Sequence, residues 1–278
     1  MKMVEDWTID GSDGEPILGT VHLPDDEPVG VMIICHGFKG YKDYGFFPLL
    51  AHTAAQRGLI AHRFNFSHSG MTRNIDTFER PDLFEKDTWG KQIHDLNSVA
   101  VAIEDGRLAG AGLPTVWFGH SRGGVTVFLA APLGDPAGIV SAAAPHQCCS
   151  WDETIREAIR HQGYIDSPSG RTGQNLRVGK AWLDEIESDP QTFDPVNAIE
   201  RINCPVLIVH GSGDQTVSVE SARALAVANE NSTVRIVEGA SHTFNATNPL
   251  ALDAAIAEQT RELIESACDF ACSCCDSA

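Results

Sequence analysis

Gly119-His120-Ser121-Arg122-Gly123 stands between a short apolar run, Thr115 to Phe118, and a helical pattern, Arg122 to Ala131. The letters G-x-S-x-G alone say little. Their position, on a strand that passes into a helix almost without a loop, says a good deal. A serine there must occupy a tight, strained turn to expose its hydroxyl. Only small residues two positions either side let the neighbouring backbones approach. The helix N-terminus behind it favours negative charge that develops beside the serine.

Working outward from this turn, short apolar runs alternate with helical patterns. Ile17 to Leu23 and Val29 to Cys35 read as strands, the second as a continuous apolar run buried on both faces. Pro48 to Arg57 reads as a helix closed by Gly58, and Leu59 to Phe66 as a strand. Lys91 to Leu108 is a helix with Ile93, Leu96, Ala100 and Ile103 along one side. Gly138 to Ala144 is a strand. Residues 146–203 then break the pattern, with turn signals at Ser167-Pro168 and Ser169-Gly170 and no clear strand. Alternation resumes with a strand at Pro205 to His210, a helix at Val219 to Asn229 and a strand at Thr233 to Glu238. A last helix is expected with Asn248 as cap and Pro249 at its first position, running toward Ala267. Such alternation predicts an α/β protein with a mostly parallel central sheet and helices on both faces. The whole chain, 1–278, reads as one domain, with 146–203 an insertion expected to act as a lid.

Composition limits the classes of function. The 278 residues carry Lys+Arg 20 and Asp+Glu 38, a net −18, with 42% hydrophobic and 21% charged residues. This apolar content excludes disorder as the main state. No apolar run approaches the ~20 residues of a membrane span. The acidic excess argues against a nucleic-acid partner, since there is no basic surplus to release counterions. Met1 to Trp7 lacks the basic start and apolar stretch of a secretory signal, so a cytoplasmic location is expected. A homodimer stays open. Of eight cysteines, Cys35 and Cys204 border apolar runs, Cys148 and Cys149 are adjacent, and four crowd residues 268–278. That last group matches no zinc spacing, so no metal site is expected, and the segment is read as a mobile, oxidation-prone tail.

A serine hydroxyl needs a base to take its proton. His242 is the candidate, in a loop directly after a strand. Its imidazole needs an acceptor, and Asp214, in a Gly-rich turn past a strand end, is the candidate for that. The competing strand end, Ala142-Ala143-Ala144-Pro145, has no acid nearby. His210 reads as a packed strand-end residue, and His36 and His120 as structural. Arg63 and Ser67, past another strand end, read as support of the sheet rather than substrate contacts.

The order Ser121, Asp214, His242, together with His36-Gly37-Phe38-Lys39-Gly40, resembles the α/β-hydrolases over residues 15–266. The likeness is greatest to the branch holding cinnamoyl/feruloyl esterases, dienelactone-hydrolase-like and serine-aminopeptidase-like members. The resemblance implies an α/β-hydrolase fold and an oxyanion hole made by the backbone N–H groups of Phe38 and Arg122. His36, Gly37, Gly119 and Gly123 would support it. It also implies a serine esterase that acts on a small-molecule ester without a cofactor. Two rivals remain: a peptidase or amidase on the same scaffold, and a non-catalytic binding protein. From Arg156 to Lys180 five cations face two acids, a local surplus in an acidic chain. Arg171 and Arg177 are therefore candidates for contact with an anionic substrate.

Overall fold

The computed structural model describes residues 3–278. Eight strands form one sheet in the order β1-β2-β4-β3-β5-β6-β9-β10. They are β1 (Val4–Asp10), β2 (Pro16–His22), β3 (Gly30–Cys35), β4 (Leu59–Asn65), β5 (Thr115–His120), β6 (Gly138–Ala142), β9 (Val206–Gly211) and β10 (Ser232–Val237). The β1–β2 and β2–β4 pairs are antiparallel, and every other pair is parallel. This is the mostly parallel, helix-covered sheet that the sequence predicts.

The apolar run of β3 explains the layering. Val31, Ile33 and Cys35 point to one face, and Met32 and Ile34 to the other. On the first face lie α3 (Trp89–Glu104), α4 (Arg122–Gly134) and α8 (Glu220–Val227), with Leu96, Val99, Phe128 and Leu225 buried against the strands. On the second lie α1 (Phe47–Gln56) and α9 (Glu258–Asp276), with Leu50, Ala54, Leu263 and Ala267. A strand covered on both faces must be apolar at every position, so its sequence shows no alternation. A short α2 (Pro81–Glu85) precedes α3.

The insertion has more regular structure than its sequence predicts. It holds α5 (Glu153–Gln162), a hairpin of β7 (Tyr164–Pro168) and β8 (Asn175–Gly179), α6 (Lys180–Ser188) and α7 (Pro195–Glu200). The edge strand β1 is likewise absent from the sequence reading. It is mostly exposed, and its side chains include Glu5, Asp6 and Asp10.

Two expectations for the C-terminal region need correction. Asn248 does not cap a helix. Its side chain accepts hydrogen bonds from Gly45 N–H at 2.9 Å and Tyr41 O–H at 3.2 Å, and so ties the loop after β10 to the loop after β3. The helix starts ten residues later, at Glu258. The cysteine-bearing end is not a loose tail either, since α9 continues through it to Asp276. Leu263, Ile264, Ala267, Cys268, Ala271, Cys274 and Cys275 recur at steps of three and four and form one buried stripe. The thiols serve here as small apolar side chains. Cys275 and Cys274 sit against Gly30 of β3 and Gly138 of β6. Burial pushes the Cys268 thiol up to about 12 and those of Cys274 and Cys275 up to about 11.

Six of the eight thiols are buried, and only Cys204 and Cys272 are partly accessible. Titration of the native protein with Ellman's reagent at pH 8 is therefore expected to show at most two fast-reacting thiols. All eight should react in guanidinium. Five or more fast thiols in the native protein would contradict the buried stripe.

Candidate active site

Ser121 lies between β5 and α4 with φ 55° and ψ −119°. A non-glycine residue in the left-handed region costs roughly 1–3 kcal/mol, and persists only where its surroundings enforce it. Here Ser121 N–H donates to the Ala142 carbonyl of β6 at 2.8 Å, and Ser121 O accepts from Gly124 N–H at 2.9 Å. The glycines on either side leave the necessary space. A Cβ on Gly119 would stand 2.1 Å from the Gly123 carbonyl oxygen, and one on Gly123 would stand 2.5 Å from that of Cys35.

Asp214 follows β9 and His242 follows β10, so adjacent parallel strands deliver both to one end of the sheet. His242 Nδ1 donates to Asp214 Oδ2 at 2.8 Å, and Ser121 Oγ lies 3.0 Å from His242 Nε2. Asp214 Oδ1 accepts the N–H groups of Thr216 at 2.8 Å and Val217 at 2.9 Å. His210 Nε2 also lies 3.4 Å from Asp214 Oδ2 and donates to the Val217 carbonyl at 2.9 Å. Burial alone would raise the Asp214 pKa. Hydrogen bonds from His210, His242 and Val217 N–H, with the charge His242 can carry, outweigh it and hold the carboxyl far below the ordinary carboxylate range.

The supporting histidines have definite partners. His120 Nε2 donates to the His242 carbonyl at 2.7 Å, which fixes the loop carrying the imidazole. His36 Nδ1 donates to the Gly37 carbonyl at 2.8 Å, and Gly40 N–H donates to the same oxygen at 3.0 Å. These bonds set the turn that carries Phe38. Arg122 opens α4, so its N–H is one of the four that a helix leaves unpaired at its start.

Two cavities meet at Ser121. The first, about 220 Å³, is lined among others by Phe38, Lys39, Tyr44, Arg171 and His242. The second, about 280 Å³, is lined by Phe38, Trp89, Arg122, Trp151 and Trp182. Arg122 places its guanidinium carbon 4.7 Å over the Trp89 ring, with Nη2 at 3.3 Å from Asp87 Oδ2.

The sequence over residues 32–255 matches the family described as the alpha/beta hydrolase family. The chain belongs to that family. It is 25% identical over 274 residues to a monoacylglycerol lipase of Mycolicibacterium smegmatis, a match covering 84% of this chain and 89% of the relative. Among solved structures it is similar to Est1E of Butyrivibrio proteoclasticus with ferulic acid bound, at a TM-score of 0.69. That match has 20% identity and covers 95% of this chain and 97% of the other. It is also similar to a putative dienelactone hydrolase of Klebsiella pneumoniae, at a TM-score of 0.60 and 17% identity over 98% and 99% of the two chains. These structural likenesses establish the fold. No described helix of the hydrolase is long and apolar enough to cross a membrane.

Not every residue singled out in the sequence reaches the site. Arg171 lines the first cavity, but Arg177 is exposed and lines neither. It stacks 4.0 Å over Tyr164 and faces Asp166 at 3.8 Å. Arg63 is buried between His22 and Asp43, and Ser67 Oγ donates to the buried Asp95 at 2.8 Å. Sequence reading misses Lys39 and Trp89 as cavity walls. Lys39 is visible only as one letter of the Phe38 loop, and Trp89 only as the start of a helix.

The buried histidines of this hydrolase predict a pH dependence. Burial lowers His36, His62 and His22 to about 4, the last also by the nearby Arg63 charge. Burial and the His242 charge lower His120 to about 3. Each takes its proton more readily in the unfolded chain. Their stabilisation is therefore complete above the ordinary 6.5 and is lost as pH falls toward 4. His36 alone accounts for about 3 kcal/mol across that window, at 1.36 kcal/mol per unit. Asp87, pushed up by burial to about 6, works in the opposite sense below that pH. The four histidines outweigh it, so urea midpoints should fall steadily from pH 7 to 5. A His120→Gln protein should show a shallower slope, and a flat wild-type profile would contradict this assignment.

Proposed function

We propose that this hydrolase is a serine carboxylic-ester hydrolase acting on small to medium acyl or aryl esters. The observation that carries the reading is the unbroken hydrogen-bonded line from Ser121 Oγ through His242 to Asp214. In this reading Ser121 Oγ attacks the ester carbonyl carbon while His242 Nε2 takes its proton. Asp214, with its carboxyl held ionised, fixes the Nδ1–H tautomer and stabilises the imidazolium. The N–H groups of Phe38 and Arg122 receive the oxyanion, a role worth about 3 kcal/mol per donor in other hydrolases. The C–O bond to the alcohol then breaks, and the alcohol leaves with the proton from His242. Water repeats the cycle on the acyl-enzyme.

The two cavities divide the substrate between them. The leaving alcohol must lie where His242 can protonate it. His242 and Thr243 line the first cavity and neither lines the second. The alcohol therefore occupies the first cavity and the acyl group the second, against Trp89, Trp151 and Trp182. Residues 146–203 supply Trp151, Trp182 and Arg171 and act as the cover of both. The names of the relatives, a monoacylglycerol lipase and a ferulic-acid-bound Est1E, agree with ester chemistry.

The test pairs p-nitrophenyl butyrate with an aminoacyl p-nitroanilide and adds fluorophosphonate labelling followed by peptide mapping. Fast ester turnover with the label on Ser121 is expected, with little anilide cleavage. Comparable anilide rates would move the assignment to a peptidase. No label at Ser121 and no turnover would move it to a binding protein.

A further inference from the structure

The walls of the two cavities at Ser121 contain three cationic side chains, Lys39, Arg122 and Arg171, and no carboxylate. In a chain with net charge −18 this is a local reversal of sign. The three are not equivalent. Arg122 is buried beside Asp87, so the acyl cavity is floored by a neutralised pair among aromatic rings.

Lys39 and Arg171 form no ion pair with a carboxylate among the described residues, and both line the cavity on the His242 side. Lys39 Nζ donates to the Pro168 carbonyl at the end of β7, at 2.7 Å. Arg171, at the tip of the β7–β8 hairpin, donates to the Ile75 carbonyl and to Met71 Sδ. Its guanidinium lies 4.7 Å over Tyr41 and 5.1 Å over Phe78. Each cation is thus fixed in place by neutral groups, and each keeps further N–H donors. An anion placed between them would gain charge-assisted hydrogen bonds without having to order either side chain. Burial lowers the Lys39 pKa, which is the cost of a partly desolvated ammonium left without a counter-charge.

We propose that the first cavity selects esters whose leaving alcohol or phenol bears a carboxylate, held by Lys39 and Arg171. The proposal rests on the assignment of His242 as the group that protonates the leaving alcohol. That assignment makes this cavity the leaving-group side.

The test compares the butyryl ester of 4-hydroxybenzoate with that of 4-hydroxybenzamide, which differ in charge at the far end of the leaving group. The kcat/KM ratio should favour the carboxylate about tenfold, through KM, since one charged hydrogen bond is worth that much. The ratio should shrink at high salt. It should fall to about one in a Lys39→Met/Arg171→Gln protein. If that variant does not fold, the wild-type ratio and its salt dependence decide. A control pair, p-nitrophenyl hemiglutarate against p-nitrophenyl valerate, moves the charge to the acyl side and should show no such preference. A wild-type ratio near one, a ratio that survives both substitutions, or a preference for the acyl-side charge would each overturn the proposal. Calorimetric titration of Ser121→Ala with 4-hydroxybenzoate and 4-hydroxybenzamide reads the cavity without turnover. Preferential binding of the acid by this variant, with a wild type that cleaves neither ester, would uphold the anion site and overturn the esterase reading. Equal binding of both in an active esterase would do the reverse.

Discussion

Ser121→Ala is expected to reduce kcat for p-nitrophenyl butyrate by about a millionfold, to the level of background hydrolysis. That is the loss seen when the nucleophile of a triad acting as a unit is removed. The reason is geometric. Among the described residues, only Ser121 Oγ combines a partly exposed hydroxyl, a histidine nitrogen at 3.0 Å and a helix start beside it. The neighbouring backbone N–H groups survive the substitution, so the proposed oxyanion site would be kept and substrate binding should persist. Alanine must still adopt φ near 55°, where any side chain is strained, so stability should change little in either direction. Residual activity of even a few per cent in a folded protein, with unfolding curves matching the wild type, would mean that another group attacks the carbonyl.

Asp214→Asn is expected to lower kcat about ten-thousandfold, as loss of the correct histidine tautomer does elsewhere. Asparagine is nearly the same shape, and its carbonyl oxygen can still accept from Thr216 and Val217 N–H. The amide would have to meet His242 Nδ1 or His210 Nε2 with an N–H group. It would favour a His242 tautomer that carries its proton on Nε2, facing Ser121, where it cannot act as a base. KM should move far less than kcat, since Asp214 lines neither cavity. A loss of tenfold or less, with the fold verified by near-UV circular dichroism, would show that another group orients His242.

The parts of this molecule that could be read from its sequence are those fixed by local rules. A serine between a buried strand and a helix, with glycines two places away, has few structural options. The turns after β9 and β10 announce themselves by Gly211-Ser212-Gly213-Asp214 and Gly239-Ala240-Ser241-His242. The structure sets the three side chains so identified within hydrogen-bond reach of one another. What the sequence conceals depends on contacts made later. Arg171 and Arg177 are six residues apart and chemically equal. The register Asp166↔Arg177 holds one on the exposed face of β8, while the tip places the other over the cavity. The strands β7 and β8 are short and carry polar residues, and β8 gains its burial from Leu176 and Val178 against the main core. The last cysteines attract attention as reactive groups, when their spacing marks one face of a helix.

The insertion departs after β6 and returns before β9, and these two strands are hydrogen-bonded neighbours. Because the pair is parallel, with Ile139 opposite Val206 and Ala142 opposite Val209, the insertion leaves one end of the strands and returns to the other, as a crossover connection must. Lengthening it would cost little in loop closure, since that cost grows only with the logarithm of length. It contributes no strand to the eight-stranded sheet, and none of Ser121, Asp214 and His242 belongs to it. Three of the aromatic and cationic cavity walls, Trp151, Trp182 and Arg171, do. In the proposed function, part of the discrimination therefore falls to a stretch of chain that supplies none of the bond-breaking side chains. Exchange of that one contiguous cassette would change walls of both cavities and leave Ser121, Asp214 and His242 in place.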